Sequence, residues 1–316
     1  MMKQKAPEVI CMGMAVVDVS VTGYGKARYS AEMVLADSVS IHTGGDALNE
    51  AVIISRLGHT VKLVCGVGED EAGEIVTNHA QKEGVDISGI TRYPEGHTHI
   101  SIPMIHPDGE KTMVSTGPYS APYYTPDLSV LEPVKVLSLG SLFRDPFNDK
   151  EILLETVKTA KENGTIVCAD VKLNDGKKML KDIKEALPYI DYIFPNEGEA
   201  RNYTGREDLD EAADVILGYG VKHAVIKLGK DGCLVKSKDT RMIVPSYPIE
   251  ALDTTGCGDN FAAGFITALV EGKTLRECCE FATAVGAVAA LSVGATTGVT
   301  SREKVEAFMK EQKRGE

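Results

Sequence analysis

The feature that most constrains this 316-residue chain is a rhythm that sets in near Pro133, an apolar β-branched run followed by an amphipathic stretch, several times over. VKVLSLG leads into NDKEILLETVKTAKENG, TIVCAD into GKKMLKDIKEALP, and DYIFP into NEGEARNYTG. Runs without polar alternation are strands covered on both faces, and strands that alternate with helices pair in parallel. The rhythm predicts an α/β fold, a doubly wound, mainly parallel sheet flanked by helices. Two segments break it. Residues at about 13–43 and 96–115 hold short alternating runs such as MVLADSVSIH and HISIPMIHPDGEKTMV, with turn signals including Asp108-Gly109. They read as antiparallel strands with one wet face, a small second sheet inserted in two pieces. One domain over 1–316 is expected, too interleaved to cut at a single boundary.

Other segments fit around this frame. The stretch from Val9 to Val21 is interrupted by Gly13, Asp18 and Ser20 and falls short of the roughly 18 apolar residues that span a bilayer, so it reads as a strand. KHAVIKLGKDGCLVKSKDTRMIVPSYP reads as a strand, a tight turn and further strands. Three helical patterns follow: CGDNFAAGFITALVEG, TLRECCEFATAVGAVAALSVG and TSREKVEAFMKEQKR. The middle one carries Ala282, Thr283, Ala284, Gly286, Ala287 and Ala289, small enough for backbone or a flat ligand to approach. The last begins at Thr300 with Glu303 three residues on, a capping-box pattern.

Charge narrows the function classes. Forty-six acidic residues against 34 Lys and Arg leave a net charge of −12, which disfavours an electrostatic grip on nucleic acid or an anionic membrane. Any phosphate must be held locally. The seven cysteines are odd in number, show no CxxC spacing and sit mostly in apolar runs, which fits a reducing cytosol. A cytoplasmic protein is expected.

The segment ALDTTGCGDNFAAGF, residues 251–265, carries the strongest chemical signal. Gly256 and Gly258 let the backbone curl so that successive N–H groups face one anion where a helix begins, and the helix end adds about half a positive charge. Asp259, just beyond, is placed to take a proton from an alcohol beside that anion. The pattern suits phosphoryl transfer to a hydroxyl; a Gly-rich loop with an ordinary helix cap is the alternative.

DTTGCGD followed by AGF resembles the C-terminal signature of the ribokinase-like (pfkB-type) carbohydrate kinases, and GGDALNEAVIISRLGHTVKLVCGVG resembles that family's N-terminal signature through Gly44, Gly45, Asn49, Ala51, Gly58 and Gly68. The resemblance covers essentially the whole chain, and it makes the two insertions a β lid over a sugar site. It implies ATP and Mg²⁺ as cofactors, with the amides of Gly256, Cys257 and Gly258 steadying the transferring phosphoryl group and Asp259 as base. It implies Asn196 and Glu199 of NEGE as organisers of water and Mg²⁺. That segment is also a plain capping pattern. It further implies Lys227, Gly229 and Gly232 of KLGKDG and the helix bearing Thr283 as nucleotide contacts, and Asp18, Gly44, Gly45, Asp46 and Asn49 as the sugar side. A monovalent cation, K⁺, would sit near Asp253, Thr255, Gly294 and Gly298, and a homodimer would form through the lid.

Departures matter too. GGDALN matches neither the GGKGxN of ribokinases nor the GGAPxN of fructokinase-like members, so neither sugar is singled out. Asp46 disfavours an anionic sugar, and the surplus of acids suits a neutral one, whereas Arg144 and Lys172 favour an anionic one. Cys257 stands where the family has Ala, Gly or Ser; it reads as a tolerated small residue rather than a nucleophile. His97, His99 and His106 lie on the lid without the partners of a zinc site. GVGEDEAG, residues 66–73, lacks the full dinucleotide fingerprint and reads as a turn before a helix. The expected protein is an ATP-dependent kinase acting on a hydroxyl, first of all a primary CH₂OH, of a ribose- or fructose-type sugar. A nucleoside kinase, and a sensor that binds without catalysis, are the alternatives.

Overall fold

Strand β1 (Val9–Met12) is VICM, buried at every position, and its neighbours in the sheet decide the architecture. The structure, a computed structural model, describes residues 6–23, 35–105, 111–116, 125–172 and 178–314. In chain order the elements are β1, β2 (Val16–Thr22), β3 (Ser38–Gly44), α1 (Asp46–Arg56), β4 (Val61–Gly68), α2 (Glu71–Lys82), β5 (Asp86–Tyr93), β6 (Ile100–Ile105) and β7 (Lys111–Ser115). Then come β8 (Val136–Leu142), α3 (Lys150–Glu162), β9 (Ile166–Val171), β10 (Tyr192–Phe194), α4 (Glu197–Thr204), α5 (Leu209–Gly218) and β11 (His223–Lys227). The chain closes with β12 (Cys233–Ser237), β13 (Arg241–Val244), α6 (Cys257–Val270), α7 (Leu275–Ala290) and α8 (Arg302–Arg314).

Nine strands form one sheet in the order β13-β12-β11-β10-β9-β8-β1-β4-β5, parallel from β11 to β5 and antiparallel at β12 and β13. Helices α1, α2, α6 and α7 contribute buried side chains to the core on one face, and α3, α4 and α5 to the core on the other. This is the expected doubly wound α/β architecture. Chain order reverses direction at β1, with β4 on one side and β8 on the other. Such switch points leave a crevice at the carboxyl ends of the strands, where ligands bind in open α/β sheets.

Four expectations are corrected. The stretch Val9–Val21 is two strands in different sheets; a β-carbon on Gly13 would lie 3.1 Å from the Asp46 carboxylate and 3.2 Å from the Gly140 backbone, so the chain passes close there and turns out of the core. The second sheet, in the order β3-β2-β6-β7, is not wholly antiparallel, because β2 pairs with β6 in parallel where the two insertions meet. The stretch expected as a helix after β9 holds short 3₁₀ turns at Leu180–Ile183 and Leu187–Tyr189, since Asp182 accepts from the Met179 amide (2.7 Å) and Pro188 supplies no N–H. Helix α8 begins at Arg302, and Ser301 rather than Thr300 accepts the Lys304 amide at 3.4 Å. The Asp108-Gly109 turn and His106 lie outside the described residues.

No helix among the described residues is long and apolar enough to cross a membrane. Six cysteines are buried and Cys257 is half-buried; all seven are free.

Candidate active site

Helix α6 starts where it does because Gly256 adopts φ 73° as its N-cap. A β-carbon there would sit 2.7 Å from the Ala295 backbone, so glycine is required twice over. Asn260, fully buried, fixes the turn by donating to the carbonyls of Gly256 (2.8 Å) and Ala295 (2.7 Å). The Cys257 amide donates to Thr254 O at 3.2 Å, so of the three expected anion donors it is held within the turn, leaving those of Gly256 and Gly258. Burial, with Asp253 and Asp259 nearby, pushes the Cys257 thiol up to about 11, which suits a packing role.

Asp259 lies in the first turn of α6, and its Oδ2 accepts from Asn49 Nδ2 at 2.7 Å, across 210 positions of sequence. Asn49 belongs to α1 and is buried, and its Oδ1 has no hydrogen-bond partner. One residue on, fully buried Glu50 accepts from Ser138 Oγ, and burial drives its proton affinity well above that of an ordinary carboxyl. Gly45 enters α1 at φ 94°, with Met14 O only 2.5 Å from where its β-carbon would be. Asp46 packs over Gly140, and its Oδ1 accepts from the Met14 (3.1 Å) and Ala47 (2.7 Å) amides, so backbone at the switch point holds one of its two oxygens.

Asp18 points from β2 toward the same place. Gly44, near it on β3, leaves room for that carboxylate: a β-carbon there would lie 2.1 Å from Asp18 Oδ2, and Asp18 would have to turn away. Burial raises the proton affinity of Asp18, against the pull of His42, Lys172 and Ser101, and Asp259 adds to the rise. The charge of Asp259 thus acts on Asp18 from the core side.

Sequence reasoning missed Asp170, at the end of β9. Lys227 Nζ reaches both of its carboxylate oxygens at 2.8 Å; Asp170 is buried and the Lys227 side chain is 12% exposed. A β-carbon on Gly258 would lie 3.2 Å from that ammonium, which places the pair against the start of α6. The strand-end Asp of TIVCAD was visible, but only the adjacency of β9, β10 and β11 shows its partner 57 residues away. Asn196 and Glu199 form the reciprocal cap of α4, with Asn196 N donating to Glu199 Oε2 (2.8 Å) and Glu199 N to Asn196 Oδ1 (2.9 Å). The capping reading is thus correct. It does not remove these residues from the site, because Asn196 bridges to Lys227 and both acceptors line the same cavity.

That cavity, about 750 Å³, runs past Asp170, Lys172, Asn196, Glu199, Lys227 and Asp259. Gly229 (φ 57°), Gly232 (φ 98°) and Thr283 also line it. Gly232 has a structural reason as well, since its β-carbon would collide with Val244 O at 2.0 Å. Thr283 is buried and donates to Glu280 O at 3.0 Å.

The four residues suggested for a monovalent cation do not fit one as a set. Asp253 Oδ1 accepts from the Thr255 amide (2.9 Å) and hydroxyl (2.7 Å), and its Oδ2 accepts from the Gly294 amide (2.9 Å). The Gly298 carbonyl, however, already accepts Lys304 Nζ at 2.6 Å, and Arg56 donates to the carbonyls of Thr296 and Val299. On the lid, His97 is exposed near Asp70 (3.7 Å) and His99 Nε2 meets Ser115 Oγ (2.8 Å). Among the described residues no three His, Cys, Asp or Glu side chains cluster closely enough to hold a metal ion.

The family model described as pfkB family carbohydrate kinase matches residues 6–302. A ribokinase of Bacillus subtilis is 30% identical over 308 residues, covering 95% of this chain and 99% of the relative. A probable fructokinase-2 of Arabidopsis thaliana is 26% identical over 286 residues, covering 85% of this chain and 87% of the relative. The structure of Arabidopsis thaliana ribokinase complexed with ribose and ATP superposes with a TM-score of 0.86 at 26% identity, covering 96% of this chain and 99% of that one. With its doubly wound core, its inserted β sheet and a family match that runs almost end to end, the chain belongs to the pfkB family of carbohydrate kinases, phosphotransferases with an alcohol group as acceptor.

Proposed function

We propose that this enzyme transfers the γ-phosphoryl group of ATP to a primary hydroxyl of a small sugar held between the lid and the switch point. The observation that carries the reading is the 2.7 Å bond from Asn49 to Asp259, which holds a carboxylate at the start of α6, where Lys227 also lies. Asp18 and the unpartnered Asn49 Oδ1 would accept sugar hydroxyls; a carboxylate and an amide suit a polyol because each offers acceptors for O–H donors. Asp259 would hold the acceptor hydroxyl and take its proton. The amides of Gly256 and Gly258, with Lys227, would balance negative charge at the transferring group.

Bound MgATP supplies the phosphoryl group and shields its charge. The cavity fits it. Gly229, Gly232, Thr283 and Gly286 line one part, and Lys227 with the α6 terminus forms the phosphate end. A magnesium ion would be held by phosphate oxygens and water, with Asn196 and Glu199 outside that shell, in keeping with the preference of Mg²⁺ to retain water. The mechanism assigns no step to potassium.

The lid also carries the proposal of a homodimer. Its inner face bears Asp18, Ser20, His42, Ser101 and Ser115, whereas Val39, Ile41 and Val114 on the other face are half or more exposed. Val17, Val19 and Ile100 of that face pack on the core, but its exposed apolar side chains lie on the two edge strands, β3 and β7, and call for a partner, which a second lid of the same kind matches.

A coupled assay of ATP consumption across ribose, 2-deoxyribose, fructose, tagatose, sugar acids, sugar phosphates and nucleosides tests the reading. Turnover should require one of the sugars, and selective use of nucleosides would favour a nucleoside kinase. Asp259→Asn should lower kcat by about 10²–10⁴ while ATP still binds. Wild-type kcat in that variant would remove Asp259 from its role.

A further inference from the structure

Glu50 is a carboxyl group with no exposed surface, and it has no counter-ion. Its Oε2 meets Ser138 Oγ, its Oε1 has no hydrogen-bond partner, and no Lys, Arg or His among the described residues forms an ion pair with it. An ionised carboxylate so placed would lack everything that offsets its loss of water. The contact with Ser138 serves the neutral acid equally well, because a protonated carboxyl donates and a hydroxyl accepts.

The sheet register shows where this group lies. Ser138 of β8 pairs with Cys11 of β1 and with Cys168 of β9. Alternate residues of a strand share a face, so Asp170, two past Cys168, stands on the same side as Ser138 and about 6.6 Å nearer the strand ends. The cation of that level, Lys227, is taken by both Asp170 oxygens. From the helix side, α1 brings Glu50 onto this face together with its neighbour Asn49, whose Nδ2 holds Asp259 of α6 at 2.7 Å. Glu50 does not line the cavity; it lies one step beneath the phosphate end and one residue from the amide that holds the base. The titratable groups around it are Asp46 on its own helix, Cys11 on β1, Cys168 and Asp170 on β9, and Asp259 on α6. Burial raises its proton affinity, and Asp170, Asp259 and Asp46 add to the rise against the pull of Ser138.

We propose that Glu50 is a positioning residue of the transfer and works as an uncharged acid. Its bond to Ser138 pins α1 to β8 and so sets Asn49 against Asp259, and its lack of charge keeps a further negative charge from beneath the phosphates. The inference rests on the sugar-kinase reading and adds to it a residue that touches neither substrate.

The charge is tested without substrate. At about pH 8 an ordinary glutamate is ionised. In native capillary electrophoresis at that pH, Glu50→Gln should migrate with wild type, whereas Glu155→Gln, exposed on α3, should run with one negative charge fewer. A one-charge shift in Glu50→Gln overturns the uncharged state. Positioning is tested by removing both ends of the bond. Glu50→Leu/Ser138→Ala leaves neither polar group behind, so its melting temperature should stay close to that of wild type. Its kcat should fall at least tenfold with KM for ATP unchanged, and the NMR signals of the Asn49 side-chain amide should shift. Glu50→Gln, which keeps the shape and the bond to Ser138, should retain most of kcat and the wild-type amide signals. A double variant with wild-type kcat and amide signals, one whose kcat falls only in step with its melting temperature, or a Glu50→Gln as slow as the double variant overturns the inference. ATP turnover that is equal with and without every sugar would instead refute the kinase reading, and electrophoresis and the amide signals would still decide the state and the role of Glu50.

Discussion

Replacing Asp170 by asparagine should damage stability and activity together, and the structure says by how much. Lys227 Nζ lies 2.8 Å from each Asp170 oxygen, with side-chain exposures of 12% and 6%. Removing one partner of a buried pair typically costs about 3–5 kcal/mol, because the other charge stays in a poorly solvated place. Glu199 and Asp259 also act on Lys227, so the lower end, about 3 kcal/mol, applies. At about 2 °C per kcal/mol, the guide for larger domains, the melting temperature should drop by about 6 °C. Urea denaturation of Asp170→Asn gives the free energy directly, and the double variant Asp170→Asn/Lys227→Met separates the two roles. With both charges gone, most of the lost stability should return, since replacing a buried pair by apolar groups is often neutral or better. Turnover should remain at least tenfold below wild type because the cation beside Gly258 is missing. A single variant as stable as wild type would refute the energetic argument, and a fully active double variant would refute the assignment of Lys227 to the phosphate end.

Further expectations concern separate parts of the molecule. Gly256→Ala should lower kcat at least tenfold and destabilise the fold by about 1–2 kcal/mol, the cost of a left-handed alanine, with the Ala295 collision added; steady-state kinetics and thermal melting would detect it. Glu8, hydrogen-bonded to Lys135 at 2.8 Å and to His59 at 2.9 Å, has its pKa lowered to about 2 in spite of partial burial. A depressed carboxyl stabilises the fold above its unfolded value near 4.5, and that contribution is lost as pH falls toward 2. Glu8→Gln should therefore flatten the fall in stability between about pH 5 and pH 2, and an unchanged acid profile would count against it. Exchanging potassium for a bulky organic cation at constant ionic strength should leave kcat/KM within about twofold, because Lys304 and Arg56 already satisfy the Gly298, Thr296 and Val299 carbonyls. A tenfold decline would show that a cation binds there after all.

The parallel core was legible because strands covered on both faces must be mainly apolar without a polar alternation, and β1, β8 and β9 are. Gly256, Gly45 and Asn196 were legible because a left-handed backbone and a helix cap each demand particular residues locally. What escaped was long-range. Nothing near Asp170 announces Lys227, and nothing near Asn49 announces Asp259; both pairings exist only after strand order and the packing of α1 on α6 bring them together. Asp46 read as a free carboxylate because the sequence does not show that the Met14 amide lies above it. The break between β1 and β2 was hidden because both halves carry apolar β-branched residues, and only the crowding at Gly13 ends the first.

The parallel pairing of β2 with β6 bears on the order in which the molecule assembles. Val17 meets Ile100 across 83 positions of chain, and between them lie α1, β4, α2 and β5, all of which pack against the core. Closing a free loop of that length costs about 4 kcal/mol in its length-dependent part alone. Once β1, β4 and β5 are paired in parallel, the two ends leave the same edge of the sheet with only β4 between them, and most of that entropy has been lost in forming the core. The lid is therefore a late arrival in folding and an inexpensive structure to melt and re-form afterwards. Its amides should exchange with solvent in openings that leave the nine-stranded sheet intact, so a sugar could enter and leave without the enzyme ever unfolding.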